Sequence, residues 1–427
     1  MIDASGSVAK QTVSIAITIV YTTFESVLRM NTNQPRRTDR ADLIRDIPVR
    51  KPIAGESALA SAVNAMVREG ELYEKLADNR VHCFACAHDC KINDGGRGIC
   101  QVRYNVGGTL FVPRGYVAAL QCDPVEKKPF FHVLPSSDAL TFGMLGCDLH
   151  CGYCQNWDIS QALRDATAGR PPSLVTPQQL VEIGREQKAR VFASSYNEPL
   201  ITSEWAVEVF REATDAGFLC AFVSNGNATR EVLEYIKPFV RAYKIDLKSM
   251  RDKNYRQLGA PLDHILDGIK MVHEMGFWLE IVTLVVPGFN DSAEELRDAA
   301  QFLASLSRDI PWHVTAFHQD YKMLDKDNTS VSDLLRACEI GRDAGLNFVY
   351  AGNLPGRVGE WENTHCPHCR ASLIERYGYL ISAYHITNEG TCPKCRVRVP
   401  GIWHTNQNDV RLGDVNEWWT RRPRAVR

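Results

Sequence analysis

Cysteine is the residue type whose spacing in this chain most clearly suggests chemistry. The 427-residue sequence contains 14 cysteines, and most of them stand in three groups. In a reducing compartment, grouped cysteines indicate metal ligation rather than disulfides. The groups are Cys83, Cys86, Cys90 and Cys100; Cys147, Cys151 and Cys154; and Cys366, Cys369, Cys392 and Cys395. We expect the three remaining cysteines, Cys122, Cys220 and Cys338, to be buried thiols.

The central group has the spacing C-x3-C-x2-C and directly follows a predicted strand. Three thiolates hold three irons of a cubane 4Fe–4S cluster and leave the fourth iron open. A structural zinc ion normally needs four ligands, and His150 would have to be the fourth. The spacing therefore favours an iron-sulfur centre with one open position.

Each of the two outer groups offers four thiols. The last one consists of two CxxC pairs, 366–369 and 392–395, which is typical of a tetrahedral zinc ribbon or a rubredoxin-like knuckle. We expect zinc there, in a structural or substrate-docking role. The first group, residues 83–100, suits structural zinc, an auxiliary iron-sulfur cluster or no metal, and the spacing leaves all three open.

Parallel β/α units are the elements that must position these cysteines. From about residue 138 to 354, apolar runs alternate with amphipathic helical stretches, as in an α/β fold. The predicted strands are 139–145, 190–195, 219–224, 242–247, 278–286 and 313–317, with a seventh at 347–351. Capping-box spacings predict helix starts at Thr176, Ser292 and Ser330. Six such units fit a partial TIM-like (β/α)6 barrel, with functional groups at the carboxyl ends of the strands; a doubly wound sheet is the alternative.

The chain divides into four expected parts. Residues 1–50 are a leader that is disordered or a start-site artefact, with Met30 as a second candidate start. Residues 51–135 form a cysteine-containing segment with a predicted helix at 56–76. Residues 136–357 form the partial barrel, and residues 358–427 form a zinc-ribbon-like domain.

Composition excludes several classes of protein. With 44% hydrophobic residues the chain can fill a large core, so disorder is not expected. A formal net charge of −2 argues against nucleic acid as a partner. The apolar stretch 13–21 is too short to span a bilayer and lacks the features of a secretory signal. We therefore expect a cytoplasmic protein without membrane attachment.

The segment GMLGCDLHCGYCQNW, with the aromatic Tyr153 just before the last cysteine, resembles the signature of the radical S-adenosylmethionine (SAM) superfamily. The resemblance implies a 4Fe–4S cluster whose open iron is chelated by the amino and carboxylate groups of SAM. Reduction then cleaves SAM to methionine and a 5'-deoxyadenosyl radical, which abstracts hydrogen from a substrate. The protein supplies position and excludes water.

The resemblance also assigns cofactor-binding residues, most of them at later strand ends. These are Tyr153, Asn197, Glu198, Ser224, Asn225, Asp246, Lys248, Val286 and Pro287. Tyr153 would lie against the adenine, and Glu198 stands where a GGE-like motif grips the amino group. The D-x-K pair 246–248 resembles that of glycyl-radical activating enzymes, where it meets the carboxylate and ribose. A surface ion pair there, and an ordinary Pro-Gly turn in the segment VVPGFND at 285–291, are the alternatives.

Further segments are similar to the radical SAM component of the AmmeMemoRadiSam system. They are DPVEKKPFFHVLP at 123–135, CQNWDISQ at 154–161, FHQDYKM at 317–323 and YAGNLPG at 350–356. Gln319 replaces a proline of the family's F-H-P-x-Y pattern, which puts the shape of that loop in doubt. For residues 126–128 a solvated loop is the alternative. His318, Tyr321 and Lys322 are candidate substrate-facing residues, and no acid or base is assigned.

The leading functional prediction is a radical SAM enzyme that acts on a peptide or protein side chain. It would use SAM and a reductant such as flavodoxin or ferredoxin, with AMMECR-type and Memo-type proteins as implied partners. One alternative is an activase that places a glycyl radical on another enzyme. A second alternative, of a different class, is a non-enzymatic zinc-binding adaptor.

Overall fold

The computed structural model describes residues 58–426. The expected leader at 1–50 lies outside the described residues. None of the described helices has the length and apolar character needed to cross a membrane.

Short antiparallel strands build the N-terminal segment. Its elements are α1 (Ala58–Asn64), β1 (Val67–Glu69), β2 (Tyr73–Lys75), β3 (Val81–Cys83), β4 (Cys90–Ile92), β5 (Tyr104–Val106), β6 (Thr109–Pro113) and β7 (Tyr116–Val117). Strands β1, β6 and β5 form one sheet, and β2, β3 and β4 form another.

The predicted helix at 56–76 is wrong beyond Asn64, where α1 ends. Val67 instead pairs antiparallel with Pro113 of β6. A Cβ atom at Gly70 would lie 2.8 Å from Val112 Cγ1, so the glycine permits this close approach. Pairing with a distant strand here outweighs the local helical pattern.

The α/β part follows. Its elements are β8 (Ala119–Pro124), β9 (Asp138–Gly143), α2 (Trp157–Ser160), β10 (Ser173–Leu174), α3 (Pro177–Glu186), β11 (Val191–Ser194), α4 (Ser203–Asp215), β12 (Leu219–Ser224), α5 (Arg230–Ile236), β13 (Val240–Asp246), α6 (Asp252–Leu258), α7 (Leu262–Glu274), β14 (Trp278–Val285), α8 (Ala293–Leu306), β15 (Trp312–Ala316), α9 (Val331–Asp343) and β16 (Val349–Gly352).

One nine-stranded mixed sheet organises this part. Strands β9, β11, β12, β13, β14, β15 and β16 are neighbours in that order and pair in parallel. Strand β8 pairs antiparallel with β9. All the predicted strands are present, and the predicted α/β class with a parallel sheet is confirmed.

Capping follows the predicted spacing with one difference. Thr176 and Ser330 each form a complete capping box with the residue three positions on. Ser292 accepts the expected bond from Glu295 N at 3.2 Å. The Glu295 carboxylate, however, accepts from Met250 N at 2.8 Å, so it joins the helix to the loop after β13 instead of closing a box.

The segment after β8 covers one face of the sheet near the amino ends of the strands. Phe130 and Val133 pack there against small strand residues such as Ala139 and Ala242. Glu126 and Lys128 are only 2% and 4% exposed. The solvated-loop alternative is therefore wrong for these two residues, because β8 brings the segment beneath the sheet.

The C-terminal part packs against that same segment. It contains β17 (Thr364–His365), β18 (Ser372–Tyr377) and β19 (Leu380–Tyr384), which form an antiparallel sheet, and β20 (Arg424–Ala425), which pairs with β8. The buried Arg376 guanidinium donates to Phe131 O at 2.9 Å. His132 donates from Nδ1 to Pro400 O at 2.7 Å. These bonds hold the C-terminal part to the central sheet.

Candidate functional site

The loop after β9 carries Cys147, Cys151 and Cys154. Cys154 N donates to Cys151 O at 3.2 Å, which forms a tight turn between the last two thiols. Gly146 has φ +90°, and a Cβ atom there would lie 2.6 Å from Val102 Cγ1. Glycine is therefore required beside Cys147, because the N-terminal segment packs directly against this loop.

The three thiols have the chemistry of an iron-sulfur ligand set. None of them forms a disulfide. Burial raises the pKa of all three, that of Cys151 to about 12. A bound metal supplies the positive charge that such buried thiols need to ionise. Three thiols on one loop therefore fit a 4Fe–4S cluster with its fourth iron open.

Glu198 lies at the end of β11 and organises the next strand end. Its carboxylate accepts from Ser224 Oγ at 2.7 Å and from Asn225 N at 2.7 Å. Burial, and then the nearby Asp148, raise the pKa of Glu198 to about 8. Asn197 accepts from Met144 N at 3.0 Å and so fixes the backbone at the end of β9. These predicted cofactor residues therefore lie together beside the cysteine loop.

Asp148 is a functional candidate that sequence reasoning missed. It follows Cys147, is fully buried, and accepts from Asn225 Nδ2 at 2.7 Å and Asn227 Nδ2 at 2.8 Å. His88 of the N-terminal segment donates from Nε2 to Asp148 O at 3.1 Å. Asp148 thus ties the cysteine loop to the end of β12. An acid inside the cysteine motif was the one available signal, and its burial depends on non-local contacts.

Asp246 and Lys248 lie together at the end of β13, with Lys248 Nζ 3.3 Å from Asp246 Oδ2. Lys244, two residues earlier on the same strand face, also pairs with Asp246 and was missed by the sequence analysis. Burial alone would raise the pKa of Asp246, but the two lysines outweigh it and lower the pKa to about 2. The pair is partly buried and belongs to the site, which disfavours a simple surface ion pair.

Tyr153 and the turn after β14 form an apolar wall. Tyr153 is buried and lies edge-on to Phe289, with ring centroids 5.9 Å apart. Val286 is buried and Pro287 half-buried in this turn. Asn290 donates to Lys248 O at 2.8 Å and so joins the turn to the end of β13. The residues predicted to border an adenine ring are therefore neighbours.

The candidate substrate-facing residues lie on the outer side of the cysteine loop. His318 is exposed, and its Nε2 lies 2.9 Å from Gln155 Nε2. Tyr321 donates to Asp165 at 2.6 Å, and Lys322 N donates to Gly152 O at 2.9 Å. Gln319 N donates to Asn328 Oδ1 at 3.0 Å, a bond that the proline expected from the family pattern could not form.

The two outer cysteine groups differ in compactness. The Sγ atoms of the C-terminal group, Cys366, Cys369, Cys392 and Cys395, all lie within 4.8 Å of one another. Among the described residues no other group reaches that closeness, the group at 83–100 included. Arg103 donates from Nε to Cys83 Sγ at 3.2 Å and also pairs with the buried Glu204. Whether zinc, an auxiliary cluster or no metal occupies the first group stays a prediction.

The cysteines outside the groups are buried as predicted. Cys122 and Cys220 are 1% exposed and Cys338 is 0% exposed. Burial raises the pKa of each of the three thiols. They are packing residues and serve as internal controls for the cysteines of the site.

Comparison with known proteins agrees with this geometry. Residues 142–303 match the Radical SAM superfamily. The chain is 35% identical to the uncharacterised protein MJ0808 of Methanocaldococcus jannaschii over 333 residues, which is 78% of this chain and 97% of that protein. It is 24% identical to the pyruvate formate-lyase-activating enzyme of Staphylococcus aureus over 184 residues, 41% of this chain and 72% of that enzyme.

Among solved structures, a domain of pyruvate-formate lyase-activating enzyme from Bacteroides vulgatus ATCC 8482 aligns at 23% identity and a TM-score of 0.35, over 38% of this chain and 98% of that one. The matched segment 142–303 contains the cysteine loop, Glu198 and the D-x-K pair. Residues 142–303 therefore form a radical SAM superfamily domain, which implies a 4Fe–4S cluster and SAM, and the protein belongs to the family of MJ0808.

Proposed function

We propose that this protein reductively cleaves SAM at a 4Fe–4S cluster held by Cys147, Cys151 and Cys154, and that it abstracts hydrogen from a peptide or protein side chain. One observation carries the proposal. The three thiols, of which Cys151 is buried and the other two are partly buried, lie on the loop after the first parallel strand, and polar side chains from the next two strand ends are linked to that loop through Asp148. Membership in the superfamily supports the same chemistry.

A 4Fe–4S cluster held by Cys147, Cys151 and Cys154 would supply the single electron that reductive cleavage of SAM requires. The protein's own contribution is position and exclusion of water. Lys248 offers an ammonium to the carboxylate of SAM, and Asp246 accepts from hydroxyl or ammonium donors. Tyr153 and Phe289 offer apolar surface to the adenine. Glu198 accepts one hydrogen bond from Leu200 N in its own loop and two from Ser224 and Asn225 at the end of β12, so its main role is to hold Ser224 and Asn225 in place.

The test is anaerobic reconstitution with iron and sulfide, reduction with dithionite in the presence of SAM, and quantitation of 5'-deoxyadenosine. We expect product from the wild type and a loss of at least about a hundredfold in Cys151→Ala, because the variant lacks one of three iron ligands. Cys220→Ala is the matched control, since it removes an equally buried thiol on β12 that faces the packed helix α4.

Equal product from Cys151→Ala and wild type would contradict the assignment of the cluster. If the wild type forms no product although four irons are bound, the electron paramagnetic resonance spectrum of its reduced cluster tests whether SAM binds at all. A spectrum that does not change on addition of SAM would exclude cofactor binding at the open iron.

A glycyl-radical activase is the second candidate, favoured by the match to pyruvate formate-lyase-activating enzymes. In that case, incubation with a co-encoded protein should leave a stable glycyl radical detectable by electron paramagnetic resonance. A mass change on a peptide without a protein radical supports the leading proposal instead. Membership in the superfamily argues against a non-enzymatic zinc adaptor.

The finer architecture is proposed as follows. Residues 51–135 form the N-terminal cysteine-containing segment, 136–357 a partial TIM-like (β/α)6 barrel and 358–427 a zinc-ribbon domain. The parallel order of seven strands, with β16 at one edge, supports the partial barrel. The close approach of the thiols at 366–395 supports zinc.

The proposed partners follow from the chemistry. A low-potential reductant such as flavodoxin or ferredoxin would deliver the electron. The segment similarities support an AmmeMemoRadiSam system, in which AMMECR-type and Memo-type proteins would be further partners. The free state of all 14 cysteines suits a reducing cytoplasm.

A further inference from the structure

Asp123 on β8 is a fully buried carboxylate shared by two lysines. Lys128 Nζ is bonded to one of its oxygens, and Lys127 Nζ lies 3.4 Å from the other. Lys128 is 4% exposed and Lys127 is 28% exposed. One negative charge therefore meets two positive charges, and one positive charge is left over.

The end of β13 repeats this arrangement, because Asp246 is shared by Lys244 and Lys248. The two groups face the same side of the sheet. Asp123 is the register partner of Ala139, whose side chain packs in one cluster with Ala242, and Ala242, Lys244 and Asp246 alternate onto one strand face. Glu280, the register partner of Lys244, is a further buried carboxylate on this face and accepts from Phe131 N and His132 N. The surplus is therefore local to Asp123, where two ammonium groups meet one carboxylate. In a poorly solvated place, that surplus attracts anions strongly.

Tyr196 joins the Asp123 group to the cofactor residues. Its hydroxyl donates to Asp123 Oδ2 at 2.9 Å and accepts from Lys128 Nζ at 3.1 Å. Tyr196 has φ +72°, a conformation that side chains other than glycine rarely adopt. Such strain persists only where the surroundings impose it, and it is frequent at ligand sites. Tyr196 also lies two residues before Glu198, beside the proposed position of SAM.

We propose that an anionic group of the substrate, a carboxylate or a phosphate, binds at Asp123, Lys127, Lys128 and Tyr196, which we call the anion site. The inference rests on the proposed function, in which Lys248 offers its ammonium to the carboxylate of SAM. Asp123 lies opposite Ala139 near the amino end of β9, so the charge left over there holds the substrate's anionic group on the same face of the sheet, and Tyr196 links that position to the carboxyl ends of the strands. Lysines suit this role because an ammonium pairs with either type of oxyanion.

The test measures anion binding without any turnover. The reconstituted protein is titrated with sodium phosphate and, separately, with sodium succinate, against sodium chloride of equal ionic strength, and the thermal midpoint is followed. The wild type should show a saturable rise in the midpoint. Lys127→Gln should weaken the apparent affinity at least about tenfold, since it removes the surplus charge and leaves the buried Asp123–Lys128 pair intact. Lys270→Gln is the control, because Lys270 forms an exposed pair with Asp267.

Each outcome has a distinct meaning. A rise in all three proteins that follows ionic strength alone overturns the anion site. A response to phosphate only, or to succinate only, supports it and identifies the type of oxyanion. Tyr196→Phe keeps the ring and removes the hydroxyl, so an unchanged affinity in both Tyr196→Phe and Lys127→Gln also overturns the proposal. Formation of 5'-deoxyadenosine is measured in parallel: absent product with saturable anion binding contradicts the proposed function, whereas product without anion binding contradicts only the anion site.

Discussion

The cysteines at 147–154 and those at 366–395 use the same ligand type in opposite ways. The C-terminal four lie within 4.8 Å of one another and come from two CxxC turns, so they can complete a tetrahedral ion by themselves. The three on the β9 loop cannot complete a cluster. Their missing ligand must come from outside, and the charged side chains around them belong to other strands.

The environments of Cys151 and Cys392 differ as well. Burial raises the pKa of Cys151 to about 12, and its surroundings offer little compensation. At Cys392, burial is outweighed by backbone N–H groups of Cys395 and Lys394, and the pKa falls to about 7. Burial raises the pKa of Cys366, in the same group of four, to about 12, so the environments of the C-terminal thiols are unequal and, of these two, only Cys392 is prepared to ionise by its local turn. A site whose ligands all come from the chain suits a structural role, whereas a site with an open metal position suits catalysis.

Removing one cysteine ligand from each site is the strongest test of this difference between the two metal sites. Cys392→Ser should lose about one zinc per chain and lower the thermal midpoint by roughly 10 °C, because a structural metal contributes folding free energy directly. It should keep its iron. Cys151→Ala should lose iron and activity with little change in the midpoint. Metal analysis and calorimetry on both variants check this, and a loss of iron in Cys392→Ser would show that the two sites are not independent.

A smaller effect on stability is expected from protonation of His132, which joins the C-terminal part to the central sheet. Burial lowers the pKa of His132 from 6.5 to about 4. The unfolded chain therefore binds more protons between pH 6.5 and 4, so stability is lost as the pH falls through that window, by on the order of 3 kcal/mol. Urea unfolding at pH 7 and pH 5 should show a smaller loss in His132→Gln than in the wild type. Equal losses would mean that this histidine does not titrate on unfolding.

Asp148→Asn should have the smallest effect on stability, about 1 to 3 kcal/mol, with a fall of roughly tenfold in the rate of 5'-deoxyadenosine formation. The new amide would place donors against Asn225 or Asn227, leaving buried donors unpaired. Asp158→Asn is the control, since Asp158 pairs with Arg170 at the surface. Asp148→Asn should disturb the site around the β9 loop and leave the zinc content of the C-terminal site unchanged, which would separate the two sites further.

The predictions that succeeded rest on short-range signals. The strand at 219–224 was predicted with the bounds that the structure has, and the helix starts at Thr176 and Ser330 have their capping boxes. Alternating apolar runs and side chains that cap backbone donors act over a few residues, so one sequence suffices to detect them. Parallel strands then bring their carboxyl ends to one edge, which is why Glu198 and Asp246 could be assigned to a common site.

The failures involve contacts between distant segments. The chain after Asn64 forms a strand because β6 is available to pair with it. Lys128 and Glu126 look like solvated residues in sequence, yet β8 carries them beneath the sheet. Asp148 and Lys244 became candidates only when their partners were known.

The sequence by itself determined the ligand types, their spacing and the parallel α/β order, because these depend on local geometry and periodicity. Only the tertiary structure decided which charges share a buried environment. The Asp123 group and the Asp246 group are each formed by residues close in sequence, but strand register and burial bring both groups to one face of the sheet, where a low dielectric strengthens the interactions between charges. The cofactor chemistry could therefore be predicted from the sequence motifs, whereas the binding site proposed for the substrate could be inferred only from the tertiary contacts.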